Sequence, residues 1–288
     1  MSVKDELRQR FATLSPALQQ IAKHVLEHPN EVVTSSMRTV GMRASVPPST
    51  LVRFAQHLGY EGWPQFKQAM TQEMGLGPEA YGERARSLLR RASDRTLADE
   101  IFQVHHANLE TTERHSSRGL GRVASLLEKA NAVHAAGFRA CFPIAFSFVY
   151  VYRLFRNSVH LLDGQGGSLE MQQRAMAKGD ALVVMSFAPY SREALQVAEA
   201  ARKAGCKVVA LTDSAASPLS LIADETLLFS VHSPSFFPSI TSGMALTESL
   251  LELLASRAGQ SVVKRIESAE AHLHESGAYL ARIPRRGH

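Results

Sequence analysis

Short apolar segments alternate with helical patterns over the second half of this chain of 288 residues. The clearest segment runs from Ala181 to Met185, an unbroken apolar run that is typical of a strand buried on both faces. It stops at Ser186, passes through Pro189, and gives way at Ser191 to residues with helical spacing. Repeated strand–helix units of this kind predict an α/β fold with a parallel, doubly wound sheet.

Five apolar segments predict a five-stranded parallel sheet flanked by helices. They are residues 132–136, 159–162, 181–185, 208–211 and 226–231. Right-handed crossovers would bring the loops that follow these strands to one edge of the sheet, where such folds bind ligands. Residues 142–152 do not fit the alternation, because their aromatic and β-branched composition predicts a strand where the pattern expects a helix.

The turn between Ser186 and Ser191 is a candidate ligand loop. Ser191 is a predicted N-cap for the helix that follows, and free backbone N–H groups at a helix N-terminus attract anions. The sequence therefore predicts a pocket for sensing or catalysis at this turn.

The first 74 residues carry the spacing of several short helices. Two of them, at residues 36–44 and 48–58, are separated by a tight turn, and Gly41 would let them approach closely. This arrangement is typical of a helix-turn-helix, whose second helix enters the major groove of DNA. On spacing alone, a plain helical bundle with a solvated polar face remains an equal alternative.

Polar side chains occupy the outer faces of the second helix, while Leu51, Ala55 and Leu58 would face inward. Arg53 could bind a guanine edge or a phosphate, and hydroxyl groups at the start of the helix suit phosphate or base contacts. The candidate DNA-binding residues are Arg43, Ser49, Thr50, Arg53, Gln56 and His57.

Composition is that of a soluble globular protein, with 45% hydrophobic and 20% charged residues. The net charge of +5 permits nucleic-acid binding without requiring it. We expect a cytoplasmic protein without membrane contact, because the first residues lack a signal-peptide core and no apolar stretch is long enough to span a bilayer. Cys141 and Cys206 form no metal-binding or disulfide pattern, so neither a metal nor a cofactor is expected.

Catalytic constellations are not recognisable in this sequence. His134, His160 and His232 lie in or beside predicted strands, where histidines are more often structural than catalytic. Glu193 and Glu248 could serve as bases only by analogy with related folds. We therefore expect no enzymatic activity.

The order of these parts resembles the RpiR-type (MurR/RpiR) bacterial transcription regulators, which join a helix-turn-helix to a sugar isomerase (SIS) domain. The resemblance rests on Val46-Pro-Pro-Ser-Thr-Leu-Val-Arg-Phe54 and Leu58-Gly-Tyr60. Pro47 stands where the family usually has a serine at the start of the recognition helix. The resemblance implies a DNA-binding domain at residues 1–76, a linker at 77–95 and an SIS domain for sensing and oligomerisation at 96–288.

The second half resembles SIS domains in its strand order and in the turn Thr212-Asp-Ser-Ala-Ala-Ser-Pro-Leu219. Both ligand loops depart from the usual pattern. Arg139 and Cys141 replace a glycine and a serine in the first loop, and Ala188 and Pro189 replace a serine and a glycine in the second. The candidate effector-binding residues are Gly137, Arg139, Cys141, Ser186, Tyr190, Ser191, Glu193 and Ser239.

The resemblance implies a homodimeric or homotetrameric transcription regulator that binds a double-stranded DNA operator. Its SIS domain would sense a small acidic metabolite, with a sugar phosphate as one candidate, and so modulate DNA binding. Two alternatives remain open at this point: a phosphosugar isomerase or phosphosugar-binding enzyme with a helical extension, and an SIS dimer that binds DNA without any ligand.

Overall fold

The computed structural model describes residues 3–73, 81–91 and 94–279. The first of these ranges is entirely helical. Its helices are α1 (Val3–Arg10), α2 (Pro16–Glu27), α3 (Pro29–Thr34), α4 (Met37–Arg43), α5 (Pro48–His57) and α6 (Trp63–Glu73). They enclose one apolar core, in which the largest fully buried side chains are Leu7, Ile21, Leu51, Phe54, Phe66 and Met70.

The α4–turn–α5 unit confirms the predicted helix-turn-helix geometry. Ser36 caps α4 by accepting a hydrogen bond from the Thr39 N–H at 3.1 Å. A Cβ on Gly41 would lie 2.9 Å from the carbonyl oxygen of Val46, so only glycine lets the turn pack against α4. Gly59 ends α5 with a φ of 92°, a left-handed conformation that favours glycine.

Between α6 and the first strand, the described residues form two helices, α7 (Tyr81–Arg91) and α8 (Asp94–Lys129). The predicted linker at residues 77–95 therefore contains a helix of its own. The division into domains at residues 1–76, 77–95 and 96–288 stays a prediction.

The described residues form one sheet of five parallel strands, as predicted, and the strand order is β2-β1-β3-β4-β5. They are β1 (Val133–Gly137), β2 (Val159–Leu162), β3 (Ala181–Met185), β4 (Lys207–Thr212) and β5 (Glu225–Leu228). Helices cover both faces. One side carries α8, α9 (Phe142–Arg153) and α12 (Thr241–Arg257), and the other carries α10 (Leu169–Arg174) and α11 (Arg192–Ala204). Helix α13 (Gln260–Glu275) follows α12 in the chain.

The strand predicted at residues 142–152 is wrong, because this segment is helix α9. Pro143 occupies its first turn, where a missing N–H costs nothing. Ile144, Phe148 and Tyr152 recur at helical spacing and are buried against the sheet, whereas Phe146 and Tyr150 remain exposed. Burial of that apolar face outweighs the local preference of β-branched and aromatic residues for strands.

The fifth strand ends at Leu228, three residues before its predicted end, because α8 provides partners for the chain beyond it. Ser116 donates to the carbonyl of Leu228 and accepts from its N–H, both at 2.7 Å. Thr112 accepts from the Ser230 N–H, and Asn108 bonds to Ser230 Oγ and to the carbonyl of His232. These three α8 side chains satisfy the edge of the sheet that would otherwise stay unpaired.

Within the described residues, no helix combines the length and the apolar character needed to cross a membrane.

Candidate functional site

Helix α5 presents a polar outer face, because its apolar side chains are buried in the core of the helical domain. Leu51, Phe54 and Ala55 are fully buried. Five of the six side chains predicted to bind DNA lie along this helix. Ser49, Arg53, Gln56 and His57 are exposed, and Thr50 is half-buried at the first turn. They form one continuous surface on the second helix of the unit.

Arg43 is the sixth predicted DNA-binding residue and lies at the end of α4. Its guanidinium forms an ion pair with Glu31 at 2.9 Å. Gln56 donates a long hydrogen bond of 3.4 Å to the carbonyl of Glu61. No side chain caps the start of α5 at Pro47, so the hydrogen bond that a serine could make at this place is absent. Of the set, Arg53 is the cation that projects from the middle of α5.

The carboxyl ends of the strands carry a cavity of about 430 Å³ beside the loop between β3 and α11. Five of the eight predicted effector-binding residues line this cavity: Arg139, Cys141, Ser186, Tyr190 and Ser191. They come from two loops, one after β1 and one after β3, which the parallel sheet brings together. Tyr81 and Phe237 contribute aromatic walls from α7 and from the segment after β5.

Several polar groups of the β3–α11 loop form hydrogen bonds with other groups of the protein. Ser191 accepts from the Ala194 N–H as the N-cap of α11, which confirms the predicted cap. Ser186 accepts from the Ser191 N–H at 3.3 Å. The phenol of Tyr190 donates to Asp213 at 2.9 Å, and burial together with that carboxylate raises the pKa of the phenol.

Three predicted effector-binding residues do not line the cavity. Gly137 is needed for packing, since a Cβ there would lie 2.4 Å from the carbonyl oxygen of Cys141. Glu193 lies beyond the rim and forms an ion pair with Arg139 at 2.9 Å. Ser239 Oγ donates to Thr241 Oγ1 at 3.1 Å and lies within hydrogen-bond distance, 3.3 Å, of His105 Nδ1.

Arg139, which stands where the family pattern has a glycine, adopts a backbone conformation that glycine favours. Its φ is +55°, in the left-handed region that non-glycine residues rarely adopt. Burial raises the pKa of the neighbouring Cys141 thiol to about 12, so this sulfur stays protonated at neutral pH and is a poor nucleophile.

A second cavity of about 570 Å³ adjoins the first, and both are lined by Tyr81 and Pro189. Its walls carry charged and polar side chains that sequence reasoning did not select: Arg84, His115, Asp213 and His232. Asp213 was detectable in principle, because it directly follows β4 at the edge where the loops converge. Arg84 gave no such signal, since it lies in the segment predicted to be a linker.

The histidines predicted to be structural occupy different places. His134 is buried and bonds to Asp180 at 3.1 Å, away from both cavities. His160 stacks on His134, and burial lowers its pKa. Over the described ranges, no group of three or more His, Cys, Asp or Glu side chains could hold a metal ion.

Two family models match this chain. Residues 1–76 match the helix-turn-helix domain of the rpiR family, and residues 126–257 match the SIS domain. The chain therefore joins an rpiR-family helix-turn-helix domain to an SIS domain. This result confirms the resemblance drawn from the motif around Arg53 and the predicted combination of a helical DNA-reading domain with an α/β domain.

Curated relatives agree with this assignment. The HTH-type transcriptional regulator HexR of Pseudomonas aeruginosa is 26% identical over 221 residues, covering 75% of this chain and 74% of that protein. The uncharacterized HTH-type transcriptional regulator YfhH of Escherichia coli K12 is 25% identical over 273 residues, covering 92% and 96%. Both are named as regulators, and the family is regulatory rather than catalytic.

One further relative is much longer. The Bifunctional protein glk of Paraburkholderia xenovorans is 27% identical over 222 residues, which is 74% of this chain but 33% of that protein. This chain therefore matches about a third of the length of that relative.

Solved structures share the fold. The Vibrio vulnificus NanR protein complexed with ManNAc-6P aligns over 96% of this chain and 99% of its own, with a TM-score of 0.58 and 19% identity. The sugar isomerase domain of an RpiR transcription factor from Sphaerobacter thermophilus covers 61% of this chain and 98% of its own, with a TM-score of 0.57 and 21% identity.

Proposed function

We propose that this protein is a transcription regulator that binds double-stranded operator DNA through α5 and senses a small acidic metabolite at the carboxyl ends of the strands. The observation that carries the proposal is the division of α5 into two faces. Its apolar face is buried, and its outer face offers Arg53 among side chains that can donate hydrogen bonds. Such a helix can enter the major groove without unfolding its own domain.

The effector would occupy the cavity lined by Arg139, Ser186 and Ser191. Support comes from the position of the cavity, since parallel α/β sheets bind ligands outside the carboxyl ends of their strands. A sugar phosphate is one candidate, because the similar NanR structure holds ManNAc-6P. To regulate, the ligand must bind more tightly to one arrangement of the two DNA readers than to the other.

We also propose that the protein works in the cytoplasm as a homodimer or homotetramer. A palindromic operator presents two half-sites about one helical turn apart, and a symmetric pair of α5 helices can bind both. The 36-residue helix α8 offers an apolar surface for such pairing, with Phe102 and Leu109 exposed two turns apart.

The DNA-binding proposal is tested by selecting a binding site from random duplex DNA with the full-length protein and comparing variants on that site. Arg53→Ala should weaken binding by about 1–3 kcal/mol if the guanidinium contacts a base. Wild-type affinity should fall steeply as salt rises, because phosphate contacts release counterions. The measurement is an equilibrium mobility-shift or fluorescence-anisotropy titration at several salt concentrations.

Arg8→Ala provides the matched control, because Arg8 is an exposed arginine on α1 whose guanidinium forms an ion pair with Asp5 of the same helix at 3.2 Å. It should bind the selected DNA as wild type does. Equal affinity of Arg53→Ala and wild type across the salt series would remove Arg53 from the interface. Failure of the wild-type protein to enrich any sequence would refute DNA reading by α5.

A further inference from the structure

Aromatic rings form much of the wall of the smaller cavity. They come from four separate segments of the chain: α7, the loop after β1, the β3–α11 loop and the segment after β5. The rings are those of Tyr81, Phe138, Phe187, Tyr190 and Phe237. Tyr81 and Phe237 contact each other across two of these segments, with their ring centroids 5.2 Å apart. A ligand in this cavity therefore meets flat apolar surfaces from more than one element.

Two polar side chains of this wall already have partners within the protein. The phenol of Tyr190 donates to Asp213 at 2.9 Å, and the guanidinium of Arg139 is paired with Glu193 at 2.9 Å. A sugar ring in the cavity would leave several of its hydroxyls against apolar surface, and burying a hydroxyl without a hydrogen bond is costly. The wall therefore disfavours a ligand that carries many hydroxyls.

The backbone of the β3–α11 loop is poorly suited to a phosphate. The Ala188 N–H donates to the Asp213 carboxylate at 3.3 Å. The Ser191 N–H donates to Ser186 Oγ at 3.3 Å, and Pro189 has no N–H. A dianionic phosphate would therefore find few free backbone donors in this loop, and the negative charge of Asp213 beside it would oppose its binding.

One cation and two hydroxyls of the wall remain for a ligand with a single negative charge. Arg192, the first residue of α11, lines the cavity and forms no ion pair or hydrogen bond with any described residue. Ser186 and Ser191 are only 4% and 7% exposed. Each accepts a backbone N–H, and within the described part of the chain neither donates its own hydroxyl hydrogen. These three donors suit the two oxygens of a carboxylate.

We propose that the effector is a small aromatic carboxylic acid, whose ring lies among the aromatic side chains of this cavity and whose carboxylate binds Arg192, Ser186 and Ser191. The proposal rests on the proposed effector-sensing function and names the chemistry of its ligand. A flat aromatic ring makes stacking and edge contacts with other rings, which a saturated ring of the same size does not make. The cavity volume of about 430 Å³ is large enough for one ring system with a short acid side chain.

The test is isothermal titration calorimetry of the full-length protein with matched probes. Benzoate, phenylacetate and indole-3-acetate are aromatic acids. Cyclohexanecarboxylate and cyclohexylacetate have the acid without the flat ring, benzamide has the ring without the charge, and D-glucose 6-phosphate and inorganic phosphate represent phosphates. We expect an aromatic acid to bind more tightly than both phosphates. Benzoate or phenylacetate should bind roughly 3- to 10-fold more tightly than its saturated counterpart.

Arg192→Ala tests the position of the carboxylate. It should weaken binding of the tightest aromatic acid roughly tenfold, the lower end for a hydrogen bond to a charged group, because Arg192 lies at the exposed rim. The affinity for benzamide should stay the same. Removing a cation from a helix N-terminus does not weaken α11, so the variant should fold. Unchanged affinity of this variant for the aromatic acid would overturn the proposal.

Lys203→Ala is the matched control for that charge, because Lys203 is an exposed cation in the last turn of the same helix. It should bind the aromatic acid as wild type does. An equal loss of affinity in Lys203→Ala and Arg192→Ala would also overturn the proposal, because net charge rather than a contact with Arg192 would then explain the loss.

Phe237→Leu tests the aromatic wall while keeping an apolar side chain. The preference for an aromatic acid over its saturated counterpart should fall roughly twofold or more, because one of several rings is lost. Phe146→Leu is the control, since it removes an exposed ring of α9 that does not line this cavity, and it should keep the preference. A preference that is absent from the wild-type protein, or is retained in full by Phe237→Leu, would contradict the aromatic assignment.

Two results overturn the inference while leaving the proposed function intact, provided that the same preparation binds its selected DNA. One is a phosphate that binds more tightly than every aromatic acid. The other is the absence of binding by every aromatic acid at millimolar concentration. Loss of DNA binding by the wild-type protein would instead refute the proposed function itself.

Discussion

Cys141, in the wall of the smaller cavity, shows how burial changes the ionisation of a single side chain. Cys141 is almost fully buried, and burial raises its pKa from 9.0 to about 12. The folded thiol therefore stays protonated through a range in which an unfolded thiol ionises. Its contribution to stability is present below pH 9 and is lost as pH rises from 9 toward 12.

This difference predicts a pH-dependent loss of stability that can be assigned to one atom. Between pH 7.5 and 10 the wild-type free energy of unfolding should fall by about 1.4 kcal/mol more than that of Cys141→Ala. Urea unfolding of both proteins at the two pH values measures it, and other ionising groups cancel in the comparison. Parallel losses in the two proteins would show that the Cys141 thiol ionises normally in the folded state.

Residue types alone were informative about the proposed DNA-reading surface but less so about the proposed ligand cavities. The motif that contains Arg53 indicated a helix-turn-helix, and the geometry of α4 and α5 agrees. Arg84 could not be selected in this way, because its position in the wall of the larger cavity depends on hydrogen bonds to a segment about 150 residues later in the chain. Spacing within one helix carries no information about such a partner.

Among the secondary-structure elements, α8 stabilises the edge of the sheet through three side chains. Ser116 alone satisfies both the N–H and the carbonyl of Leu228. Ser116→Ala should therefore reduce the free energy of unfolding by about 1–3 kcal/mol, the cost of leaving buried polar groups without partners. The neighbouring Ser117 is exposed, and Ser117→Ala should change stability by less than about 0.5 kcal/mol.

Urea unfolding curves of the two serine variants measure this difference as a shift of the midpoint at constant slope. A shift of similar size in both variants would mean that replacing any serine of α8 lowers stability equally. The edge of β5 would then not depend on Ser116.

Secondary-structure elements could be predicted where the same sequence pattern recurred along the chain. The prediction failed where it depended on one local signal. Five apolar segments separated by helical spacing indicated the five-stranded parallel sheet. The aromatic segment of α9 was mistaken for a strand, because residue composition does not record that every fourth side chain, such as Ile144 and Phe148, would be buried. The end of β5 was missed because its partners lie on a distant helix rather than on a strand.

At the scale of the whole molecule, the proposed function requires two DNA readers held in register. In this proposal a single α5 would bind one half-site, so the pairing surface matters as much as the reading surface. The face of α8 that carries Asn108 and Ser116 is used within the chain, but Phe102 and Leu109 remain exposed. A groove of about 460 Å³ between α8 and α12 runs beside Leu109.

This arrangement predicts that the protein is at least a dimer in solution and that Phe102 contributes to the contact. Phe102 is 66% exposed in the single chain, and its burial in a partner would stabilise the pair by roughly 1.5–3 kcal/mol. Phe102→Glu should therefore shift the mass measured by light scattering toward that of the monomer at micromolar concentration. Its affinity for a palindromic site should fall further than for a single half-site.

Leu221→Glu is the matched control for that substitution, because Leu221 is also a large exposed apolar residue, at 50%, but lies in a turn between β4 and β5. It should keep the wild-type mass and the wild-type preference for paired half-sites. A monomeric wild-type protein, or a Phe102→Glu protein with unchanged mass, would exclude this face of α8 from the assembly. The two readers would then have to be paired through another surface, and the distance between them would no longer depend on α8.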